Sequence, residues 1–160
     1  MLEERTEIEF ASLSDAVEIG VLSKNEIEYG LGWRYTPKKI TELIRHRSKN
    51  VVVARSGSIL VGFGIMTYYE HQANLDLLAV KRNYRRMKIG SDIVRWLEKV
   101  ALTFGAFNVF VQVREQNKGA IQFYEALDYS VIETDTRYYS GVETGVVMAR
   151  GLKRISFNKP

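Results

Sequence analysis

Between Leu75 and Val113 the sequence passes from an apolar stretch, "LLAV", through the basic segment "KRNYRRMKIG" into a helical stripe, and then into the strand-like run "FNVFVQVR". Ile93, Val94, Leu97, Val100, Ala101 and Phe104 recur at helical spacing, and Gly105 stands where a helix C-terminus favours glycine. A strand-helix-strand connection of this length joins strands that lie parallel, and such crossovers are right-handed almost without exception. The chain must therefore be a mixed one, organised around one parallel pair.

What flanks the crossover is antiparallel in character. Upstream, "RTEIEFAS" alternates in strand fashion with Ile8 and Phe10 on one face, and Ser14 offers an N-cap to a helix carrying Ala16, Val17 and Val21. After the aromatic, glycine-rich "GLGWRYTP", Thr36 caps a second helix with Pro37 at its first position and Ile40, Leu43 and Ile44 as its apolar stripe. "NVVVARSGSILVGFGIMTYY" reads as two strands turning at Ser56-Gly57-Ser58, and "ANLDLLAV" continues the meander. Downstream, "NKGAIQFYEAL" is a short helix, and "YSVIETDTRYY" with "VETGVVMAR" forms a hairpin turning at Ser140-Gly141. The order β-α-α-β-β-β-α-β-α-β-β lacks the alternation of a doubly wound sheet and predicts an α+β fold. Its mixed, mostly antiparallel sheet has about seven strands, flanked by about four helices, with the β-α-β crossover at its centre. A chain of 160 residues suits one domain, read as 1–155 with a tail at 156–160.

Composition narrows the chemistry. There is no cysteine, so thiolate catalysis, disulfides and cysteine-based zinc sites are excluded, and the two histidines, His46 and His71, lack metal-binding spacing. No metal is expected. No apolar run approaches the roughly 20 residues of a membrane helix, and "MLEERTEIEF" carries acids where a signal peptide needs an apolar core. A soluble cytoplasmic protein, with no membrane partner, is expected. The net charge of +4 only weakly favours an anionic partner. Its distribution says more, because five cations fall between Lys81 and Lys88, at the junction of a strand end and a helix N-terminus. Free backbone N–H groups and the positive end of the helix dipole converge at such a junction, which suits phosphate.

"LLAVKRNYRRMKIGSDIVRWLE" resembles the acyl-CoA-binding segment of the GNAT superfamily of N-acetyltransferases, whose signature is Arg or Gln, two residues, Gly, one residue, then Gly or Ala. Arg85 takes the first position, Gly90 the last, and Lys88 replaces the middle glycine. "VREQNKGAIQFYEALDY" is similar to the second signature of that family: Asn117, Ala120, Phe123, Tyr124, Glu125 and Leu127 match, while Asp128 replaces Gly and Tyr129 replaces Phe.

This resemblance implies an acetyl-CoA-dependent N-acetyltransferase, in which a neutral amine attacks the acetyl thioester directly. It places the pyrophosphate against the backbone of Arg85, Arg86, Met87, Lys88, Ile89, Gly90 and Ser91, and the pantetheine along Leu78, Ala79 and Val80. Lys88 is accommodated if its backbone angles suit a non-glycine residue, with its ammonium outside the loop and free to approach a phosphate. Asn117 is implied beside the pantetheine and is also a natural helix N-cap. Tyr124 matches the general acid for the departing thiolate; a phenol with a reference pKa of about 10 is protonated at neutral pH. For the general base, the family position falls on Asn74, which cannot serve, so Asp76 is the first candidate, with Glu70 and His71 as alternatives acting through water.

The C-terminal hairpin resembles that of RimI-like protein N-terminal acetyltransferases, which implies Tyr138 and Tyr139 on one side of a peptide N-terminus and Trp33 and Tyr35 on the other. The partners expected are acetyl-CoA and an amine acceptor, preferably a protein or peptide amine, with self-association into a homodimer left open. A small-molecule acceptor such as a polyamine, amino acid or aminoglycoside stays open, with Glu26, Glu28 and Glu70 as candidate acids, as does a noncatalytic acyl-CoA-binding module. Nucleic acid binding is disfavoured, since Tyr84 is the one aromatic among the loop cations.

Overall fold

The structure, a computed structural model, describes residues 5–135 and 144–152. Tyr138, Tyr139, the turn at Ser140-Gly141 and the tail at 156–160 lie outside the described residues. The described elements follow the expected order: β1 (Thr6–Phe10), α1 (Ala16–Glu26), α2 (Pro37–Arg45), β2 (Lys49–Ser56), β3 (Ile59–Tyr68), β4 (Gln72–Val80), α3 (Ile89–Thr103), β5 (Asn108–Arg114), α4 (Lys118–Ala126), β6 (Ser130–Asp135) and β7 (Gly145–Gly151). The strands form one mostly antiparallel sheet in the order β1-β2-β3-β4-β5-β7-β6. Its residues cluster into two compact units, one holding the chain up to Thr67 with Asp76–Leu97, the other Tyr68–Leu75 and the chain from Glu98. No helix among the described residues is long and apolar enough to cross a membrane.

In the first unit β1 pairs antiparallel with β2, and β2 with β3, from Lys49↔Thr67 to Ser56↔Ile59. That register leaves Gly57 and Ser58 as a two-residue turn, with Gly57 at φ 60° as such hairpins require. Val51, Val53, Phe63 and Ile65 pack in one cluster with Ile19 and Leu22 of α1 and Ile40 and Leu43 of α2. On β3, Gly64 brings α3 close: a Cβ there would lie 2.8 Å from Ile93 and 2.9 Å from Leu97. As predicted, Thr36 caps α2, its Oγ1 accepting from Lys39 N at 3.3 Å.

Two details of the first helix differ from expectation. Ser12, not Ser14, starts the helical segment, through a 3-10 turn at Leu13–Asp15: the Asp15 carboxylate accepts from Ser12 N (2.9 Å) and Ser12 Oγ (3.2 Å). Asp15 also receives Arg55 Nη2 at 2.5 Å, and Arg55 pairs with Glu9 at 2.9 Å. Burial raises the Asp15 pKa, but Arg55 and the Ser12 donors outweigh it and hold the carboxyl below its usual range. The buried face of α1 is Ala16, Ile19, Gly20, Leu22 and Ser23, whereas Val17 and Val21 face outward, because Pro37 closes over Gly20 with its ring 3.0 Å from where a Cβ would sit.

In the second unit β4 and β5 form the parallel pair required by the crossover, from Gln72↔Asn108 to Leu75↔Val111. β5 pairs antiparallel with β7, and β7 with β6. Gly105, at φ 88°, ends α3 as expected. Phe104 is exposed rather than core, with its ring 5.2 Å from that of Tyr68.

Candidate active site

The loop after β4 is built to present main-chain donors. Lys81 N donates to Val61 O (2.7 Å), which fixes the end of β4 to β3, and a 3-10 turn at Arg82–Tyr84 follows. Arg86 (φ 67°) and Lys88 (φ 63°) then take left-handed conformations immediately before α3. Asp92 N donates to Lys88 O at 2.9 Å, so the N–H groups of Ile89, Gly90 and Ser91 precede the first intrahelical bond. A turn of this kind at a helix N-terminus forms an anion-binding concavity with positive potential. The expectation for Lys88 is corrected: its backbone is in the region that favours glycine, at a cost of about 1–2 kcal/mol for an L-residue. The side chains of Arg86, Met87 and Lys88 are exposed. Arg85 turns elsewhere, its Nε donating to Val80 O (3.2 Å) and its Nη2 meeting Glu26 at 2.5 Å.

Also in the first unit, Asp76 accepts a short hydrogen bond from Thr67 Oγ1, which in turn accepts from Lys49 Nζ at 2.6 Å. Lys49 Nζ lies 3.6 Å from the Asp76 carboxylate, whose side chain is only 26% exposed. Burial pushes the Asp76 carboxyl above its ordinary range, against the Thr67 hydroxyl and the Lys49 ammonium, which favour the charged form. The loop between α1 and α2 is organised by the buried Glu28, which accepts from Ser23 Oγ (3.1 Å), Arg34 N (2.6 Å) and Tyr35 N (3.2 Å). Trp33 Nε1 donates to Gly20 O at 3.0 Å, and Lys24 Nζ stands 5.0 Å from the Trp33 ring centre.

In the second unit Asn117 caps α4, its Oδ1 accepting from Ala120 N at 3.0 Å. Tyr124 is buried, with Phe123 4.9 Å and Tyr129 5.5 Å away between ring centres. Tyr129 donates its hydroxyl to Glu98 at 2.8 Å, and Arg150 meets the other oxygen of Glu98 at 2.9 Å. Glu70 and His71 sit in the exposed bend before β4, 3.7 Å apart.

Residues 20–129 match the model of the acetyltransferase (GNAT) family. The chain belongs to the GNAT family. It is 35% identical over 78 residues to NAA20 of Arabidopsis thaliana, the catalytic subunit of the N-terminal acetyltransferase B complex, across 48% of this chain and 45% of that one. It spans about half the length of such curated relatives. Its fold is that of the ribosomal-protein-S18-alanine N-acetyltransferase of Escherichia coli (TM-score 0.82, 19% identity, 98% of this chain and 99% of the other). It is also that of the PaiA N-acetyltransferase of Thermoplasma acidophilum in complex with coenzyme A (TM-score 0.78, 22% identity, 92% and 99%).

Of the residues singled out from the sequence, Arg86 and Lys88 form a left-handed turn before α3, and Asn117 is the N-cap of α4. Two features went unread. Lys49 and Thr67 flank Asp76, a grouping foreshadowed by the hairpin register that sets Lys49 opposite Thr67. The Glu98–Arg150 pair under Tyr129 joins α3 to β7 and has no local sequence signal. Of the candidate acids for a small amine, Glu28 is hydrogen-bonded within its own loop and Glu26 is paired with Arg85.

Proposed function

We propose that this GNAT chain is an acetyl-CoA-dependent N-acetyltransferase that acetylates a primary amine, with a protein or peptide amine as acceptor. The observation that carries the reading is the left-handed Arg86–Lys88 turn running into the N-terminus of α3 directly after β4, within the family-matched residues. Its N–H groups suit a pyrophosphate whatever the side chains are, so Lys88 can stand at a glycine position. Leu78, Ala79 and Val80 precede it on β4 and suit the pantetheine arm.

Bound acetyl-CoA supplies a thioester whose carbonyl carbon accepts the amine nitrogen while the C–S bond breaks. The chain's own residues manage two protons. Asp76, raised in pKa by burial against the opposing Thr67 hydroxyl and Lys49 ammonium, takes the amine proton, directly or through water. Tyr124 returns a proton to the leaving thiolate. Glu70, exposed and 3.7 Å from His71 in the bend before β4, is the weaker candidate base.

Two observations favour a peptide acceptor over a polyamine. The carboxylate of Glu28 is committed within its loop and offers no acidic wall. A relative matched over about half of this chain, NAA20 of Arabidopsis thaliana, is the catalytic subunit of an N-terminal acetyltransferase complex. An α-amine, with a reference pKa near 8, is also neutral far more often at pH 7 than a lysine near 10.4, so a carboxylate base suffices. The test is acetyl-CoA consumption against peptides with free N-termini, lysine peptides and small amines. Turnover is expected first with free N-termini, and turnover confined to small amines would reassign the acceptor.

A further inference from the structure

Arg85 holds the first position of the GNAT signature, yet its side chain is directed away from the phosphate-facing backbone. Its Nε binds Val80 O and its Nη2 binds the Glu26 carboxylate at 2.5 Å. One guanidinium thus closes the span from Val80 to Arg85 and ties it to the last residue of α1. The position of Glu26 is informative in itself. An acid in the final turn of a helix opposes the helix dipole, and Glu26 is nonetheless mostly covered, with 14% of its side chain exposed. A cation from outside the helix gives that placement a physical reason.

The segment it braces needs support. Arg86 and Lys88 hold left-handed angles without being glycine, and such conformations persist only where the surroundings over-determine them. The loop is anchored on one side by Lys81 N to Val61 O. Before the strained pair, its other anchor is Arg85 to Glu26.

We propose that Glu26 is a positioning residue for the cofactor loop: through Arg85 it locks the Val80–Arg85 turn to α1 and holds the Arg86–Ser91 backbone in its phosphate-binding shape. The inference rests on the acetyl-CoA reading above. On this proposal the effect of Glu26 passes through Arg85, and it should appear in cofactor affinity and not in the chemical step.

The test is calorimetric titration of the full chain with CoA for the wild type, Glu26→Gln, Arg85→Gln and the double variant, with steady-state kinetics alongside. Glu26→Gln is expected to weaken CoA binding about 5-fold, the ceiling for a partly exposed ion pair. KM for acetyl-CoA should rise by the same factor with kcat within about 2-fold of wild type. In the Arg85→Gln background, Glu26→Gln should add no further loss, because both substitutions break one contact. Should Glu26→Gln not fold, Glu26→Asp is read the same way, since it keeps the charge but draws the carboxylate back by one methylene. Unchanged CoA affinity, or losses that simply add in the double variant, overturns the proposal. A wild type that does not bind CoA at all overturns the acetyl-CoA reading beneath it, and the two failures are told apart by that first titration.

Discussion

Replacing Tyr129 with phenylalanine removes one oxygen from a buried network and leaves the ring in place. Tyr129 and Glu98 are 3% and 4% exposed, and their hydrogen bond is 2.8 Å long. A hydrogen bond to a charged partner contributes about 1.5–3 kcal/mol. The ring contact with Tyr124 and the Arg150 bond to Glu98 are retained, so the loss should stay near the middle of that range, about 2 kcal/mol. For a chain of this size that lowers Tm by about 4–8 °C and moves the urea midpoint without changing the m-value. The pH dependence has a definite sign. Burial first, then Glu98, raise the Tyr129 hydroxyl far above its ordinary value of 10.0. The folded state therefore keeps a proton that the unfolded state gives up. The contribution is fully present below pH of about 10 and declines above it, so the gap between wild type and Tyr129→Phe should narrow in alkali. Urea melts at pH 7 and above pH 10, repeated in a Glu98→Gln background, make the assay. A loss under about 0.5 kcal/mol, or the same loss with Glu98→Gln as without it, would refute the assignment of this bond.

Two further outcomes follow from the site. Lys88→Gly relieves a left-handed L-residue, about 1–2 kcal/mol, against a glycine entropy cost of about 0.4–1 kcal/mol; a net gain of about 0.5–1 kcal/mol in urea melts is expected, and a loss would show that the lysine side chain holds the loop. Asp76→Asn should slow turnover most at low pH, where the amine is most protonated. Because the folded pKa of Asp76 lies above its unfolded value of 3.8, wild-type stability from this group falls as pH rises through the interval between the two. Urea midpoints across that interval should lose this slope in Asp76→Asn, and an unchanged slope would remove Asp76 as its source.

The crossover, the Gly57-Ser58 hairpin and the Thr36 cap were legible because each rests on local rules: a helical stripe between β-branched runs, turn chemistry, and a side-chain oxygen before proline. The start of α1 was not. Its cap depends on Asp15, whose second oxygen is held by Arg55 from β2, forty residues on. Its buried face was misread because apolar residues surround that helix, and only the approach of Pro37 to Gly20 selects Ile19 and Leu22 over Val17 and Val21. At the site, the phosphate loop showed in its charge and spacing, but the left-handed backbone of Lys88 runs against the residue's own preference. The Lys49–Thr67–Asp76 group assembles across three strands and exists only once their register is set.

Acetyl transfer is read in a reaction of the full chain with acetyl-labelled acetyl-CoA and a peptide bearing a free N-terminus. The label should move to the peptide amine with one free thiol released per amine acetylated, and Tyr124→Phe should slow that transfer while sparing CoA binding. Label retained on the thioester, with CoA bound and no amine in a varied panel acetylated, would rule out transferase activity and leave an acyl-CoA-binding module.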